Sequence, residues 1–207
     1  VSGAPPPRPL GPVPSAVAAA LVLGSYLAVR SGAAEAADRV VERWLTSARP
    51  RRSDHVLAVA TDLGSSFGLA GTTAVLALTG RRTAAVEVGA AGAHAWVLAQ
   101  SIKPALGRPR PYELGSSARL VSPPAGSSWP SGHAAVGSAM ATALMTVGDR
   151  RLALLAATGG LAIGMSRIAV GVHHLSDVVA GWGVGILAAA GSSAMTRRLR
   201  LRTLRTR

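Results

Sequence analysis

The chain has 207 residues, with 22 Lys or Arg against 9 Asp or Glu, a net charge of +13 and no cysteine. Hydrophobic residues make up 49%, charged residues 15% and aromatics 3%, and the mean hydropathy is +0.34. Long uncharged runs of Ala, Val, Leu and Gly suit a polytopic membrane protein, not a soluble basic domain; the missing cysteines exclude disulfides and thiolate metal sites, and no basic stripe interleaved with aromatics supports nucleic-acid binding.

In chain order, residues 1–13 are Pro/Gly-rich and predict a disordered segment without a cleavable signal pattern. Six apolar segments then approach the ~20 helical residues that span a ~30 Å hydrocarbon core. They cover residues 14–29, 55–79, 83–102, 133–147, 152–170 and 177–195. The expected fold class is therefore all-α, a polytopic bundle of six transmembrane helices over residues 14–196, followed by a basic cytoplasmic tail at 197–207. The second segment carries Asp62 and several Gly and Ser residues. The fourth is short by itself, and Gly148 and its Pro-Ser-Gly entry extend it. Gly160 with Gly164, and Gly181 with Gly185, suit close helix packing in lipid.

Between the first two segments, residues 34–45 read as an amphipathic helix lying at the interface. Ala37, Val40, Val41, Trp44 and Leu45 share one face, with Glu35, Asp38, Arg39, Glu42 and Arg43 elsewhere; an ordinary surface helix is the alternative. An even number of spans puts both termini on one side, and the Arg-rich tail assigns that side to the cytoplasm. Arg81-Arg82 and Arg150-Arg151 agree. Arg30, Arg39, Arg43, Arg49, Arg51 and Arg52 dissent, since they fall outside. The Ala/Gly/Arg-heavy usage suggests a high-GC bacterial genome, and so a bacterial plasma membrane.

Three short motifs sit at the ends of these runs. Six residues separate Lys103 from Arg110-Pro111. Pro130-Ser131-Gly132-His133 opens the fourth segment. Ser166-Arg167 is followed after five residues by His173, and after three more by Asp177. The predicted topology brings all three to one extracytoplasmic surface. Lys103 offers a point charge, while Arg110 and Arg167 offer planar forks for bidentate phosphate contacts. A helix N-terminus after Ser131-Gly132 offers free N–H groups to an anion, although Ser131 also suits a simple N-cap. His173 and Asp177, four apart, share a helical face, so the carboxylate can fix the tautomer of a nucleophilic imidazole. The alternatives are snorkelling basic residues, packed histidines or a His/Asp metal site; a metal site leaves the three cations unexplained.

In order and spacing the motifs resemble the type 2 phosphatidic acid phosphatase superfamily, from Lys103 to Asp177. The resemblance implies a phosphatase with His173 as nucleophile, His133 as general acid and base, and Asp177 as the partner of His173. It also implies phosphate binding by Lys103, Arg110, Ser131, Gly132 and Arg167, with no metal and no other cofactor. The expected substrate is a lipid phosphate or diphosphate, with undecaprenyl diphosphate leading. Phosphatidate, phosphatidylglycerol phosphate and polyprenyl-phosphoryl sugar phosphates stay open, as does the oligomeric state. Competing readings are a vanadium haloperoxidase-like enzyme and a lipid transporter or binding protein. Outside the motifs, His174 is expected to be peripheral and His94 a buried hydrogen-bonding residue. His55 and Asp62 are polar groups in or at the rim of a span, and functional candidates on that ground. Arg108 is expected to hold phosphate or face water, and Trp129 and Tyr112 to line a lipid entrance or anchor the loop.

Overall fold

The computed structural model describes residues 8–47, 54–147 and 150–205. Expectations for residues 1–7, Arg49, Arg51, Arg52, Gly148 and the last two residues lie outside this range. Eight α-helices make up the described chain. They are α1 (Pro12–Arg30), α2 (Glu35–Ser47), α3 (Asp54–Thr61), α4 (Ser66–Leu78), α5 (Arg82–Ile102), α6 (Gly132–Val147), α7 (Arg150–Ala169) and α8 (Leu175–Arg205). No strand occurs among the described residues.

Three helices are both long and apolar enough to cross a membrane: α1, Arg151–Ala169 of α7 and Leu175–Arg198 of α8. The predicted starts and ends of these three agree to within a few residues, except that α8 runs on to Arg205. Pro12 opens α1 at its first turn, where a missing N–H costs nothing. Leu23 and Leu27 of α1 and Leu154 and Leu155 of α7 are exposed, as expected for surfaces that meet lipid.

The second predicted span is not one helix. A 3-10 turn at Asp62–Gly64 separates α3 from α4. Ser65 has extended backbone angles and its hydroxyl accepts the Gly68 N–H, so it caps a new helix. Gly64 lets this corner lie against the His133 carbonyl and Ile163. An apolar run interrupted by Asp62, Ser65 and Ser66 thus folds as two helices with a corner at the site.

At the centre, α6 is buried over most of its length and packs on α5, α7 and α8. Gly181 and Gly185 of α8 lie directly against the backbone of α6. A side-chain carbon at Gly185 would collide with Ser138 Oγ and the Ala135 carbonyl, and one at Gly181 with the Ser131 carbonyl. Gly160 faces Gly137 of α6, and Gly164 faces the Trp182 ring. The expected close packing at both glycine pairs is present.

The facing of α2 differs from the expectation. Val41 and Leu45 pack inward against Ile168 and Val178, but Asp38 and Glu42 are buried beside them while Val40 and Trp44 are exposed. The inward stripe is Ala34, Asp38, Val41, Glu42 and Leu45, and it is part polar because its acids have partners. Glu42 accepts from the Ser116 hydroxyl at 2.7 Å, and Asp38 serves the start of α8, described below. Glu35 and Arg39, paired at 3.0 Å, and the exposed Arg43 form the outward charged face.

Candidate active site

The 29 residues from Lys103 to Ser131 fold back across the ends of α5 and α6. Arg110 knits this loop together. Its guanidinium donates to the carbonyls of Ala125 (3.3 Å), Gly126 (3.1 Å), Ser127 (3.2 Å) and Val172 (2.9 Å). Lys103 Nζ donates to the Ser127 carbonyl at 2.6 Å and more weakly to that of Pro130 at 3.4 Å. Burial and the neighbouring Arg110 lower the Lys103 pKa to about 8, with Asp177 opposing them and Arg167 adding to them. Burial also pushes the Arg110 pKa down, against the pull of Tyr112 and Asp177.

The loop, the start of α6 and the α3–α4 corner enclose a cavity of about 180 Å³. Lys103, Arg110, Gly132, His133 and His173 all line it. So do Ser65 and Ser66 from the corner, and Trp96 and Gln100 from α5. Those four are additions to the motif residues. Trp96, Gln100 and Lys103 follow one helical face at i, i+4 and i+7, a register visible in the sequence once Lys103 is placed.

His173 lies at the rim of α8 and is buried. Its Nδ1 is 3.4 Å from Asp177 Oδ2, and its Nε2 is 3.3 Å from Arg110 Nη1. Burial, then the Arg167 and Arg110 charges, outweigh the help of Asp177 and lower the His173 pKa to about 3. The imidazole is therefore neutral at physiological pH, with one nitrogen turned to a carboxylate and the other to the cationic side.

Asp177 uses both carboxylate oxygens. Oδ2 accepts the His174 N–H at 2.8 Å and the Ser128 hydroxyl. Oδ1 accepts Arg108 Nη1 at 2.6 Å. The bond to the His174 N–H is the returning half of a capping box at the start of α8. The Ser131 N–H meanwhile donates to the Asp177 carbonyl at 3.0 Å, tying the second motif to the third. Ser131 Oγ accepts the Ala134 N–H at 3.4 Å, an N-cap bond to α6.

Arg167 lies behind the cavity wall, 2% exposed. Its Nη1 donates to Thr61 Oγ1 at 2.9 Å, while its Nε is buried without a partner. Such a donor is costly unless a ligand meets it. Thr61, which also accepts from Ser166 at 2.9 Å, was invisible in the sequence because a lone Thr in an apolar run carries no signal.

Several expectations are corrected. Arg108 neither lines the cavity nor faces water: it bridges Asp177 and Asp38. Trp129 lines no entrance. It is buried, donates to Ser25 Oγ at 3.0 Å and meets the Tyr26 ring edge-on, anchoring the loop to α1. Tyr112 carries Arg119 over its ring at 5.0 Å. His174 is buried beside Pro109 and stays outside the cavity lining. His94 bonds Ser192 Oγ and the Ala188 carbonyl of α8, both at 3.2 Å, yet it is exposed. His55 and Asp62 are exposed and outside the cavity lining.

A family model for the PAP2 superfamily matches residues 84–201, more than half of the chain. The chain belongs to the PAP2 superfamily. The match begins in α5 and includes all three motifs and most of α8. An undecaprenyl-diphosphatase of Sulfolobus acidocaldarius is 33% identical over 90 residues, 43% of this chain and 44% of that protein. The chain thus matches less than half the length of that relative. Two solved structures share the fold. The crystal structure of a transmembrane PAP2-type phosphatidylglycerolphosphate phosphatase from Bacillus subtilis superposes with a TM-score of 0.75 at 20% identity. The alignment covers 89% of this chain and 96% of that one. Aquifex aeolicus LpxE gives a TM-score of 0.65 at 28% identity, over 73% of this chain and 91% of the other. The described residues thus form an all-helical PAP2 fold of the membrane type, with three helices among them long and apolar enough to cross a bilayer.

Proposed function

We propose that the protein is a membrane lipid phosphatase that works through a phosphohistidine at His173. One observation carries the reading: Lys103, Arg110, His133 and His173 line a single cavity, with Asp177 against the far nitrogen of His173. Neutral His173 attacks the terminal phosphorus through Nε2, forming the N–P bond as the bond to the leaving oxygen breaks, which is the lipid alkoxide oxygen of a monophosphate or the bridging oxygen of a diphosphate, departing with the lipid phosphate. His133 donates a proton to that departing oxygen. Water then attacks the phosphohistidine, His133 takes the water proton, and the N–P bond breaks to release inorganic phosphate. Charge on the transferring phosphoryl oxygens meets Lys103, Arg110 and Arg167, with N–H groups at the start of α6 adding to it. These cations supply the neutralisation that a divalent ion supplies in other phosphoryl-transfer sites, so no metal is required.

The segments cross the bilayer six times, with α3 and α4 together forming the second crossing and α2 at the interface. The basic tail lies in the cytoplasm of a bacterial cell and the site faces outward. Undecaprenyl diphosphate is the leading substrate, because an outer-face site suits a polyprenyl diphosphate presented there. The motifs select the phosphate and not the lipid, so phosphatidate and phosphatidylglycerol phosphate are the comparison substrates.

The test is phosphate release by the purified protein in detergent with excess chelator, on a panel of these lipids. Release that survives chelator, with a preference for the diphosphate, is expected. Loss restored by one divalent ion would replace the metal-free mechanism. A second arm supplies water-soluble short-chain substrate to right-side-out and inverted vesicles. Turnover confined to inverted vesicles would overturn the outward orientation.

A further inference from the structure

Behind the His173–Asp177 pair lies a second ionic layer, built from Arg108, which falls inside the first motif but is none of its phosphate-binding positions, and from Asp38, which no motif contains. Arg108 Nη1 donates to Asp177 Oδ1 at 2.6 Å, and its Nη2 donates to Asp38 Oδ2 at 2.7 Å. Nη1 also donates to Ser176 Oγ at 2.7 Å. Asp38, on α2, is almost fully buried. Its Oδ1 accepts the Ser176 N–H at 2.9 Å and its Oδ2 the Ser176 hydroxyl at 2.8 Å. Asp38 therefore satisfies an N–H of the first turn of α8 that has no partner within the helix, and two carboxylates converge at the positive end of that helix. Arg108 pairs with both. Its own N–H donates to Ser127 Oγ at 2.9 Å, which fixes the backbone from which it reaches. Neither residue lines the phosphate cavity. Both instead line a separate cleft of about 590 Å³ between α1, α2 and the loop that joins α5 to α6.

We infer that Arg108 and Asp38 are positioning residues: the Asp38–Arg108–Asp177 bridge holds the Asp177 carboxylate in the orientation from which it fixes the His173 imidazole, and thereby makes α2 part of the catalytic apparatus. This rests on the phosphohistidine reading. Oδ2 of Asp177 is shared by His173, the Ser128 hydroxyl and the His174 N–H, and without Arg108 the carboxylate would be free to pivot about that oxygen. Arg108 pins Oδ1, so that Oδ2 alone is left for the histidine. The bridge also sets the charge that His173 feels. Facing His173 are Asp177 from α8, Arg110 from the loop, Arg167 from α7 and His133 from α6, with Lys103 across the same cavity. Removing the Arg108 cation leaves more of the Asp177 charge to stabilise the imidazolium. Removing the Asp38 anion does the opposite, because Arg108 is then neutralised by one carboxylate instead of two.

The experiment compares wild type, Arg108→Gln, Arg108→Lys, Asp38→Asn and the double variant Arg108→Gln/Asp38→Asn, as full-length protein in detergent. One short-chain lipid phosphate is used, with kcat and KM measured across pH. Arg108→Gln should lose about 10- to 100-fold in kcat, the usual range for groups that orient a functional ligand, with KM within about twofold of wild type. Its acid limb in kcat/KM should move toward neutral pH, whereas Asp38→Asn should move it to lower pH or leave it in place. Arg108→Lys keeps the cation and should keep the wild-type limb and most of kcat. In the Arg108→Gln background, Asp38→Asn should cost no further kcat, since it acts through Arg108; it should also raise the unfolding temperature by removing an unpaired buried charge.

A KM that rises with kcat unchanged in Arg108→Gln would make Arg108 a phosphate contact and overturn the inference. Independent, multiplicative losses in the double variant, or limbs that shift together in both single variants, would reduce the bridge to a structural tie and also overturn it. Should Arg108→Gln not fold, Arg108→Lys and Asp38→Asn decide: a kcat deficit without a KM change in Asp38→Asn supports the bridge, and wild-type kinetics in that variant refutes it. An inactive wild type would count against the phosphatase reading and not against the bridge.

Discussion

Lys103 sits against the Ser127 and Pro130 carbonyls and shares its cavity with Arg110, so its charge depends on pH within an accessible range. With a pKa lowered to about 8, the ammonium is intact below that value and lost as pH rises through it. The free enzyme should therefore lose kcat/KM above pH about 8. The kcat profile should stay flatter, because a bound phosphate anion favours the ammonium and the bound complex governs kcat. Lys103→Arg should abolish the alkaline limb; a limb unchanged in that variant would assign it to another group. The motif residues were legible in the sequence because their chemistry is tied to fixed spacing, as with His173 and Asp177 four positions apart, although His173 precedes α8 and meets Asp177 from outside the helix and not along a shared helical face. Arg108 was misread because nothing in a sequence says whether a cation beside the motif meets phosphate or a buried carboxylate. Asp38 and Thr61 were missed for the related reason that their partners lie far along the chain: Ser176 and Arg108 stand 138 and 70 positions from Asp38, and Arg167 stands 106 from Thr61.

At the scale of elements, the site depends on how closely α6 and α8 approach. His133 opens one helix and Asp177 lies in the first turn of the other, and Gly181 and Gly185 set the separation between them. Gly185→Ala places a carbon against Ser138 Oγ and the Ala135 carbonyl, and should cost ~1–3 kcal/mol by overpacking, with a fall in kcat. Gly71→Ala is the control, since nothing lies within 4 Å of the added carbon; relieving a helical glycine should be neutral or mildly stabilising. Thermal unfolding in detergent, read beside kcat, checks both; equal behaviour of the two variants would show that the glycine contact is not a constraint. Long uninterrupted apolar runs such as α7 were legible almost to the residue. The α3–α4 corner was not, because hydropathy averaged over a span hides a Ser65 cap that ends one helix and starts another. The facing of α2 was misread because a polar residue on an amphipathic helix turns inward whenever the fold supplies its partner, as it does for Asp38 and Glu42.

Taken as a whole, the molecule brings to one place groups that are far apart in the chain: Lys103 at the end of α5, Arg110 in the loop, His133 at the start of α6, Arg167 at the end of α7, and His173 and Asp177 at the start of α8. That convergence was foreseeable from the alternation of helix ends, and the fold delivers it. The central claim is that the two histidines divide the work. Nitrophenolate departs readily without a proton, whereas a lipid alkoxide does not, so the need for His133 should depend on the leaving group. His133→Asn should lose phosphatidate turnover far more severely than nitrophenyl phosphate cleavage, and its second step should be slow because water is no longer activated. The direct measurement is therefore to mix His133→Asn with nitrophenyl phosphate, quench, and analyse the protein for an acid-labile, base-stable phosphoryl group on His173. Accumulation of that phosphohistidine, absent in His173→Asn, is the predicted result; equal losses for both substrates with no phosphoenzyme in any variant would contradict the mechanism.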